Sequence, residues 1–553
     1  MRQTITIRHR TATDDPVPPF SARSFRNLSS GFAAASVPGP GFADTRVPLS
    51  GKTLAQCVYL SGLFTPPALC SGAGHCALCR VRFLSAPPPV LDAEKAVLSH
   101  HDLDAGWRLA CHHAPEDNAH ILIPALPVVC ASQKSTPVAV RKGRFALAVD
   151  LGTTSIHWQV VPVDGTGAGS DLPHGTMINP QMGAGSDVVA RIAHATEEEG
   201  AAVLRRLVTN ALAGIADACA AKGYVAETLC VAGNPAMTGI FLGHATRSLA
   251  RAPYALPCSG NLTTTVPGLP PVYVPPQISP FVGGDVSAGY AALALDPGSP
   301  VPAYPFLLAD LGTNGECLLA LSPTESLAAS LPMGPALEGV NLTFGCLAGI
   351  GAVVDYVLTP YGFEPVVLGD TAPTGITATG YLSLLRVLRV SGLLTENGQF
   401  ARREDLPLAG KVAGESGDSG GERSIRLPGK MALYASDVEE LLKVKAAFSL
   451  TLSRLLRTAS LTAADLSRIY FAGAFGMHVP VEAMTSLGFV PPGTGKRIVT
   501  AGNTSLAGAS LFLRHPAARE ACARWAGNVT TLNLAGEAAF GQAFAGHMFF
   551  AWR

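Results

Sequence analysis

Two stretches of the chain repeat one pattern of chemically useful residues. In FALAVDLGTTS, Asp150 closes an apolar run and is followed by Gly152, Thr153 and Thr154. In FLLADLGTNGE, Asp310, Gly312, Thr313 and Asn314 stand in the same register. A glycine lets backbone approach an anion closely, and the amides and hydroxyls after it donate hydrogen bonds to phosphate oxygens. An aspartate at a strand end can hold a water on Mg2+, an ion that prefers carboxylate and water oxygens. One copy would equally be an ordinary turn after a core strand. Two copies predict a cleft in which two hairpins grip one polyphosphate, with Asp150 and Asp310 as its metal-positioning carboxylates. The other common phosphate cradle, GxxxxGK[ST], is absent. Around Gly495 and Lys496 its first position is Val490 and its last is Arg497, so that segment reads as a basic surface turn.

A second constellation lies upstream. Cys70, Cys76 and Cys79 are spaced C-x5-C-x2-C in CSGAGHCALC, and Cys111 follows in WRLACHH. Three thiolates on one tight loop and a distant fourth suit a [2Fe–2S] cluster, with Gly72 and Gly74 letting the loop fold around it. Zinc is the competing ligand, but its sites usually pair two short C-x2–4-C knuckles, and here there is a triplet and a single. His75, His112 and His113 read as surface or supporting residues. Cys57 reads as core; Cys130, Cys219, Cys230, Cys258, Cys317, Cys346 and Cys522 have no ligand spacing and read as structural.

The elements that must carry these residues follow from composition and periodicity. Forty basic and forty acidic side chains cancel, so no basic footprint points to nucleic acid. Only 14% of residues are charged, against 58 Gly and 43 Pro, as in a compact α/β protein of several domains. No apolar run of about 18 residues escapes Gly, Pro or charge, and MRQTITIRHR lacks the apolar core of a signal peptide. A cytoplasmic location without membrane contact is expected, where twelve cysteines point to metal before disulfides.

Alternation predicts a strand over 3–9, then a long loop over 11–43 and a short helix over 53–63. Strands follow at RVRF and AHILIPA. Residues 125–144 have no period and end in RKGR, so they read as a linker that lets one module swing relative to the other. Further on, helices are predicted over 197–222, 437–456 and from Asn503. Gly283 and Gly284 open another, so their amides either meet a phosphate or cap the helix. Glu338 follows a Gly-rich bend, residues 410–422 read as a surface loop, and IYFAGAFG reads as a strand entering a turn at Gly473 and Gly476.

The paired D-x-G-T loops resemble the phosphate loops of the superfamily of acetate and sugar kinases, heat-shock chaperone ATPases and actin. The cysteine region resembles an adrenodoxin-type ferredoxin. Their fusion resembles the reductive activators of corrinoid proteins, over nearly the whole chain, on CSGAGHCALCRVRF, GWRLACH, NPQMGAGSDVVARI, AGNPAM, FVGGDVSAG, GPALEG, FAGAFG and GNTSLAGA. The resemblance implies a multidomain α+β and α/β chain. A β-grasp [2Fe–2S] domain would occupy 1–124 and a linker 125–144. A two-lobed actin-like ATPase body would follow, divided into 145–230 and 231–553. It implies a homodimer that uses ATP and Mg2+ to return a Co(II) corrinoid protein to Co(I). Cys70, Cys76, Cys79 and Cys111 would hold the cluster, Gly473 and Gly476 would flank adenosine, and Glu316 or Glu338 would orient the attacking water. The alternative is a nucleotide-gated iron–sulfur redox sensor without turnover. Four departures stand out: Ser71 and Ala77 replace the usual glycines after two cysteines, GITATG lacks the family's cysteine, and Ala474 replaces a glycine in AGAFG.

Overall fold

The structure, a computed structural model, describes residues 3–10, 42–67, 69–74, 76–124, 143–163, 172–312, 314–333, 335–338, 342–359, 362–369, 371–401, 412–413, 423–476 and 478–552. The predicted linker is therefore described only at its last two residues, and His75, Cys130 and Thr313 lie outside this set.

The first unit is a mixed five-stranded sheet. Its strands are β1 (Thr4–Arg10), β2 (Phe42–Pro48), β3 (Arg80–Phe83), β4 (Trp107–Leu109) and β5 (His120–Leu122), in the order β2-β1-β5-β3-β4. Ile5, Ile7, Val81 and Ile121 point from it into a core closed by the helix Leu54–Tyr59. That helix is capped by Thr53, whose side chain accepts from the Gln56 amide, and it is shorter than its apolar pattern predicts. The predicted loop is also shorter, because Phe42 and Ala43 pair with Arg10 and His9 as the start of β2.

The body contains two six-stranded sheets of the same plan. The first has β6 (Phe145–Leu151), β7 (Ser155–Pro162), β8 (His174–Ile178), β9 (Ala226–Gly233), β10 (Leu262–Thr264) and β11 (Val272–Val274), ordered β10-β11-β9-β6-β7-β8. The second begins with β12 (Phe306–Leu311), β13 (Asn314–Ala320) and β14 (Ser326–Pro332). Two three-stranded sheets then intervene: β15 (Ala352–Thr359), β16 (Gly362–Val367) and β17 (Gly375–Ile376), and β18 (Val412–Ala413), β19 (Ser424–Arg426) and β20 (Ala432–Tyr434). β21 (Arg468–Ala472), β22 (Ile498–Gly502) and β23 (Val529–Leu532) complete the second large sheet as β22-β21-β12-β13-β14-β23. In each large sheet the central strand has a hairpin partner on one side and a parallel neighbour on the other, β9 beside β6 and β21 beside β12.

Strand alternation sets the layers. On β6, Phe145, Leu147, Val149 and Leu151 pack outward against the helix Glu198–Ala220, which presents Leu204, Leu207, Val208, Leu212 and Ile215 at helical spacing. The intervening Ala146 and Ala148 face inward. On β12, Leu307, Ala309 and Leu311 pack against the helices Ala378–Val390 and Ala435–Thr458, while Phe306 and Leu308 face inward. Between the sheets lie the helices Gly284–Ala294 and Thr504–Arg514. A Cβ at Gly508 would collide with the Ala288 carbonyl, so these two backbones touch directly.

Two expectations need correction. The division at 230/231 falls inside β9, because β9 is the parallel neighbour of β6 and belongs to the same lobe. Within the predicted 410–422 loop, Val412 and Ala413 pair with Ile425 and Ser424. Among the described residues no helix is long and apolar enough to cross a membrane.

Candidate functional site

Both D-x-G-T hairpins line one cleft of about 680 Å3. The duplicated plan places their aspartates at equivalent points. Asp150 pairs with His157 across its hairpin and with Ala232 on β9; Asp310 pairs with Glu316 and with Ala472 on β21. Gly152 makes the first turn possible, since a Cβ there would stand 2.6 Å from the Ser155 carbonyl oxygen. Asp150 accepts from Ser505 Oγ at 2.8 Å and from Asn503 Nδ2 at 2.7 Å, both at the start of the inner helix Thr504–Arg514. Gly473 follows β21 at φ +85°, and a Cβ at that position would collide with Asp310 Oδ1. The glycine is thus needed for the Asp310 carboxylate to lie against the end of β21 at the cleft wall.

Thr153, Thr154, Gly312 and Glu316 also line the cleft. Thr153 Oγ1 accepts from Asn234 Nδ2 at 3.2 Å, and Ser330 Oγ approaches Glu316 Oε1 at 3.5 Å. Asn314 begins β13, and Glu338 closes the short helix Pro335–Glu338, whose Leu337 reaches the cleft. The side chains of Asn314 and Glu338 lie outside the described set.

Of the three remaining glycines, Gly283 takes the second of its two expected roles, as the N-cap of the helix Gly284–Ala294, and none of the three offers itself to the cleft. The Gly284 amide donates to Gln277 Oε1 at 3.1 Å, so it is not free for a phosphate. Gly283 packs against Asn234, where a Cβ would come within 2.6 Å of its Cα. Gly476 packs against the Phe471 backbone and is not part of the cleft wall. In their place the cleft holds Asp285, in the first turn of Gly284–Ala294. Burial first, and then the Asp150 carboxylate, push Asp285 up to about 7. GGD at a helix start was the available signal, and the aspartate rather than the glycines carries it. His157, at the register position of Glu316, was also missed. Its Nε2 lies 3.1 Å from Ser155 Oγ and its Nδ1 2.8 Å from Thr176 Oγ1. The far end of the cleft is apolar, with Leu337, Leu347, Val354, Leu368 and Ala378, which suits a purine base.

The four sequence-predicted cysteines surround a smaller cavity of about 110 Å3. They fall into two pairs. Cys79 and Cys111 have sulfurs 3.2 Å apart, and Cys76 shares a side-chain hydrogen bond with Cys70. These partner thiols, and then burial, hold Cys76 and Cys79 well above the usual thiol range, so deprotonation needs a cation in the cavity. Among the described residues no three His, Cys, Asp or Glu side chains converge as on a single ion. Four thiols around one cavity are a donor set that fits a [2Fe–2S] cluster. His113 is not a surface residue: it is buried, with Nε2 2.9 Å from Glu94 Oε1, and Glu94 Oε1 also accepts from the Leu109 amide next to the Cys111 turn.

The cysteine unit is not detached from the body. Met182 and Gly183–Gly185 form part of the cavity wall, and Met182 is fully buried in the N-terminal unit's own core.

Two family models match the body. Residues 305–552 match the model of the C-terminal domain of RACo, the ASKHA domain, and residues 145–297 match the RACo middle region. The chain belongs to the RACo family. The corrinoid activation enzyme RamQ of Eubacterium limosum is 26% identical over 419 residues, covering 72% of this chain and 68% of RamQ. A [Co(II) methylated amine-specific corrinoid protein] reductase of Methanosarcina barkeri is 28% identical over 327 residues, covering 51% of this chain and 54% of that protein. A solved reductive activator for corrinoid,iron-sulfur protein shares the fold, with a TM-score of 0.62 and 21% identity over 92% of this chain and 97% of its own.

The departures from the RACo pattern now have physical content. Ser71 and Ala77, two of the expected departures, both adopt φ +53°. That left-handed backbone costs a residue with a Cβ on the order of 1 kcal/mol. GITATG lies in the cleft: Thr377 caps the helix Ala378–Val390, and a Cβ at Gly375 would stand 2.7 Å from the sulfur of Cys346, itself in the cleft wall.

Proposed function

We propose that this chain is an ATP-dependent reductive activator of a corrinoid protein. It passes one electron from a [2Fe–2S] cluster to a corrinoid held as Co(II), restoring the Co(I) state that accepts methyl groups. The observation that carries the reading is the presence, in one RACo-family chain, of a four-thiol cavity and a cleft walled by two equivalent phosphate loops. Two relatives are named for corrinoid activation and for reduction of a Co(II) corrinoid protein.

Bound in the thiol cavity, the cluster supplies electrons one at a time. Cys70, Cys76, Cys79 and Cys111 would hold it. In the cleft, Asp150 and Asp310 would hold Mg2+, residues 152–154 and 312–314 would hold the phosphates, and the apolar end beyond Leu347 would take the base. Asp285, poised near neutrality, takes a proton from the attacking water, which Glu316 or Glu338 orients.

Reducing Co(II) to Co(I) is uphill for an ordinary [2Fe–2S] centre, so the electron must be coupled to nucleotide. Two lobes meeting at inner helices provide an element with two arrangements, and nucleotide favours one of them. We place the protein in the cytoplasm, as a homodimer through its ATPase body. The test is anaerobic reduction of a Co(II) corrinoid protein of a methyltransferase system by the reconstituted chain, dithionite and MgATP, followed by the Co(I) absorption band. Co(I) should form with ATP and fail without it. Equal yields with and without nucleotide would overturn the reading.

A further inference from the structure

The cysteine cavity and the first phosphate loop are two ends of one short segment. Residues 179–187 leave β8, form the turn Pro180–Ala184 and enter the helix Val188–Ala195. At the nucleotide end, the fully buried Asn179 donates from its amide to the Thr154 carbonyl and from Nδ2 to the Gly152 carbonyl, each at 2.8 Å. In the middle, Met182 inserts into the core of the cysteine unit, and a Cβ on Gly183 would meet Tyr59 Cβ at 2.9 Å. At the cysteine end, the Ser186 amide donates to Ser71 Oγ at 2.8 Å, and Ser71 Oγ donates to Asp187 Oδ2 at 2.8 Å. Ser71 directly follows Cys70, so this lock closes on the cysteine loop itself.

A second brace returns to the same phosphate loop. The fully buried Arg191 donates through Nε to the Gly185 carbonyl at 3.0 Å and through Nη1 to Gln181 Oε1 and Met237 Sδ, both at 3.3 Å. The Met237 amide donates to Asn234 Oδ1 at 2.9 Å, and Asn234 Nδ2 donates to Thr153 Oγ1.

We propose that residues 179–187 are a strap that docks the cysteine unit against the body, covers one face of its cavity, and releases it when nucleotide occupies the first phosphate loop. This deepens the reading above and rests on the cleft being a nucleotide site. In the docked arrangement Met182–Gly185 stand where a redox partner would otherwise approach the four thiols. When Gly152, Thr153 and Thr154 close on phosphates, the carbonyls and hydroxyl held by Asn179 and Asn234 move, and the strap loses its anchor. Ser71 is what this chain gains at a strained position where a glycine would lie without strain: a hydroxyl that ties the loop to the body.

Hydrogen exchange on the full, cluster-loaded chain tests this without any corrinoid partner. Amides over 182–187 and 69–80 should be protected in the nucleotide-free protein and should exchange several-fold faster, together, with a non-hydrolysable ATP analogue and Mg2+. Ser71→Gly removes the lock while relieving the backbone, and Ser71→Ala removes the hydroxyl alone, leaving the left-handed backbone that Ala77 also adopts. Both should retain iron and should exchange at the fast rate without nucleotide. Calorimetry on the same samples separates the two failures. If the analogue binds and exchange stays the same or slows, the strap is wrong and the cleft reading stands. If it does not bind, both fall. Unchanged exchange in both variants would likewise overturn the lock.

Discussion

Asn503 and Asp150 are 353 residues apart in the chain, yet Asn503 Nδ2 donates to Asp150 Oδ2 at 2.7 Å. The same side chain turns its Oδ1 to the Leu506 amide at 2.8 Å, capping the inner helix Thr504–Arg514. One residue thus fixes the helix start and the carboxylate that the first phosphate loop contributes. Asn503→Ala should cost about 1 kcal/mol of stability through the lost cap. It should also lower ATP turnover by more than that loss explains, because Asp150 is no longer aimed. Turnover assayed well below the melting temperature, with the cluster absorbance as control, checks it.

The two aspartates themselves give the sharper test. Asp150→Ala or Asp310→Ala should abolish ATP turnover, a deficit on the order of several kcal/mol in transition-state stabilisation. Dithionite should still reduce the cluster in both variants, and neither should yield Co(I) on a Co(II) corrinoid protein. Coupling is reciprocal, so if nucleotide raises affinity for a Co(II) partner, that partner should tighten nucleotide binding in the wild type by the same factor. Variants that still generate Co(I), with nucleotide binding blind to the partner's cobalt state, would favour the redox-sensor alternative.

Much of this was legible because it is local. The apolar run before Asp150 and its copy before Asp310 fix two core strands and their turns, and C-x5-C-x2-C fixes the cysteine loop. What escaped is non-local. Nothing near Asp150 marks Asn503 or Ser505 as its partners. The 230/231 division failed because a parallel pairing such as β9 with β6 leaves no trace in periodicity. His157 and Glu316 become equivalents only when hairpin register is known, since the first turn is one residue longer. Met182 gave no sign that it belongs to the core of the other unit, so the two modules read as separate.

The cluster reading predicts about two irons and two sulfides per chain. Cys76→Ser removes one thiolate from the Cys70 pair in a buried cavity. Iron should fall well below that ratio, and the visible absorption should weaken or vanish. Nucleotide should still bind, because the ATP cleft has its own walls. Stoichiometric zinc in place of iron, after anaerobic purification, would contradict the assignment.

Asp285 ties activity to pH in a way that separates a working carboxylate from a structural one. Its folded pKa of about 7 lies above the 3.8 expected of a free aspartate, chiefly through burial. The folded protein therefore binds this proton more tightly than the unfolded chain does. That contribution is complete below about pH 4, is lost as pH rises towards 7, and is absent above it. Asp285→Asn keeps the Oδ1 acceptor for the Val286 amide and removes the ionisation. Relative to the wild type, the variant should gain stability steadily between about pH 4 and 7. The gain should reach on the order of 2 kcal/mol at pH 8, once the cleft's open side is allowed for. Its ATP turnover should move the opposite way, falling at least tenfold at pH 8, roughly the contribution of a general base. Melting temperatures of both proteins without nucleotide across that range, and turnover at pH 8, decide it. A variant that is no more stable at pH 8 than at pH 5, relative to the wild type, would show that Asp285 ionises freely and that its place in the cleft does not tune it.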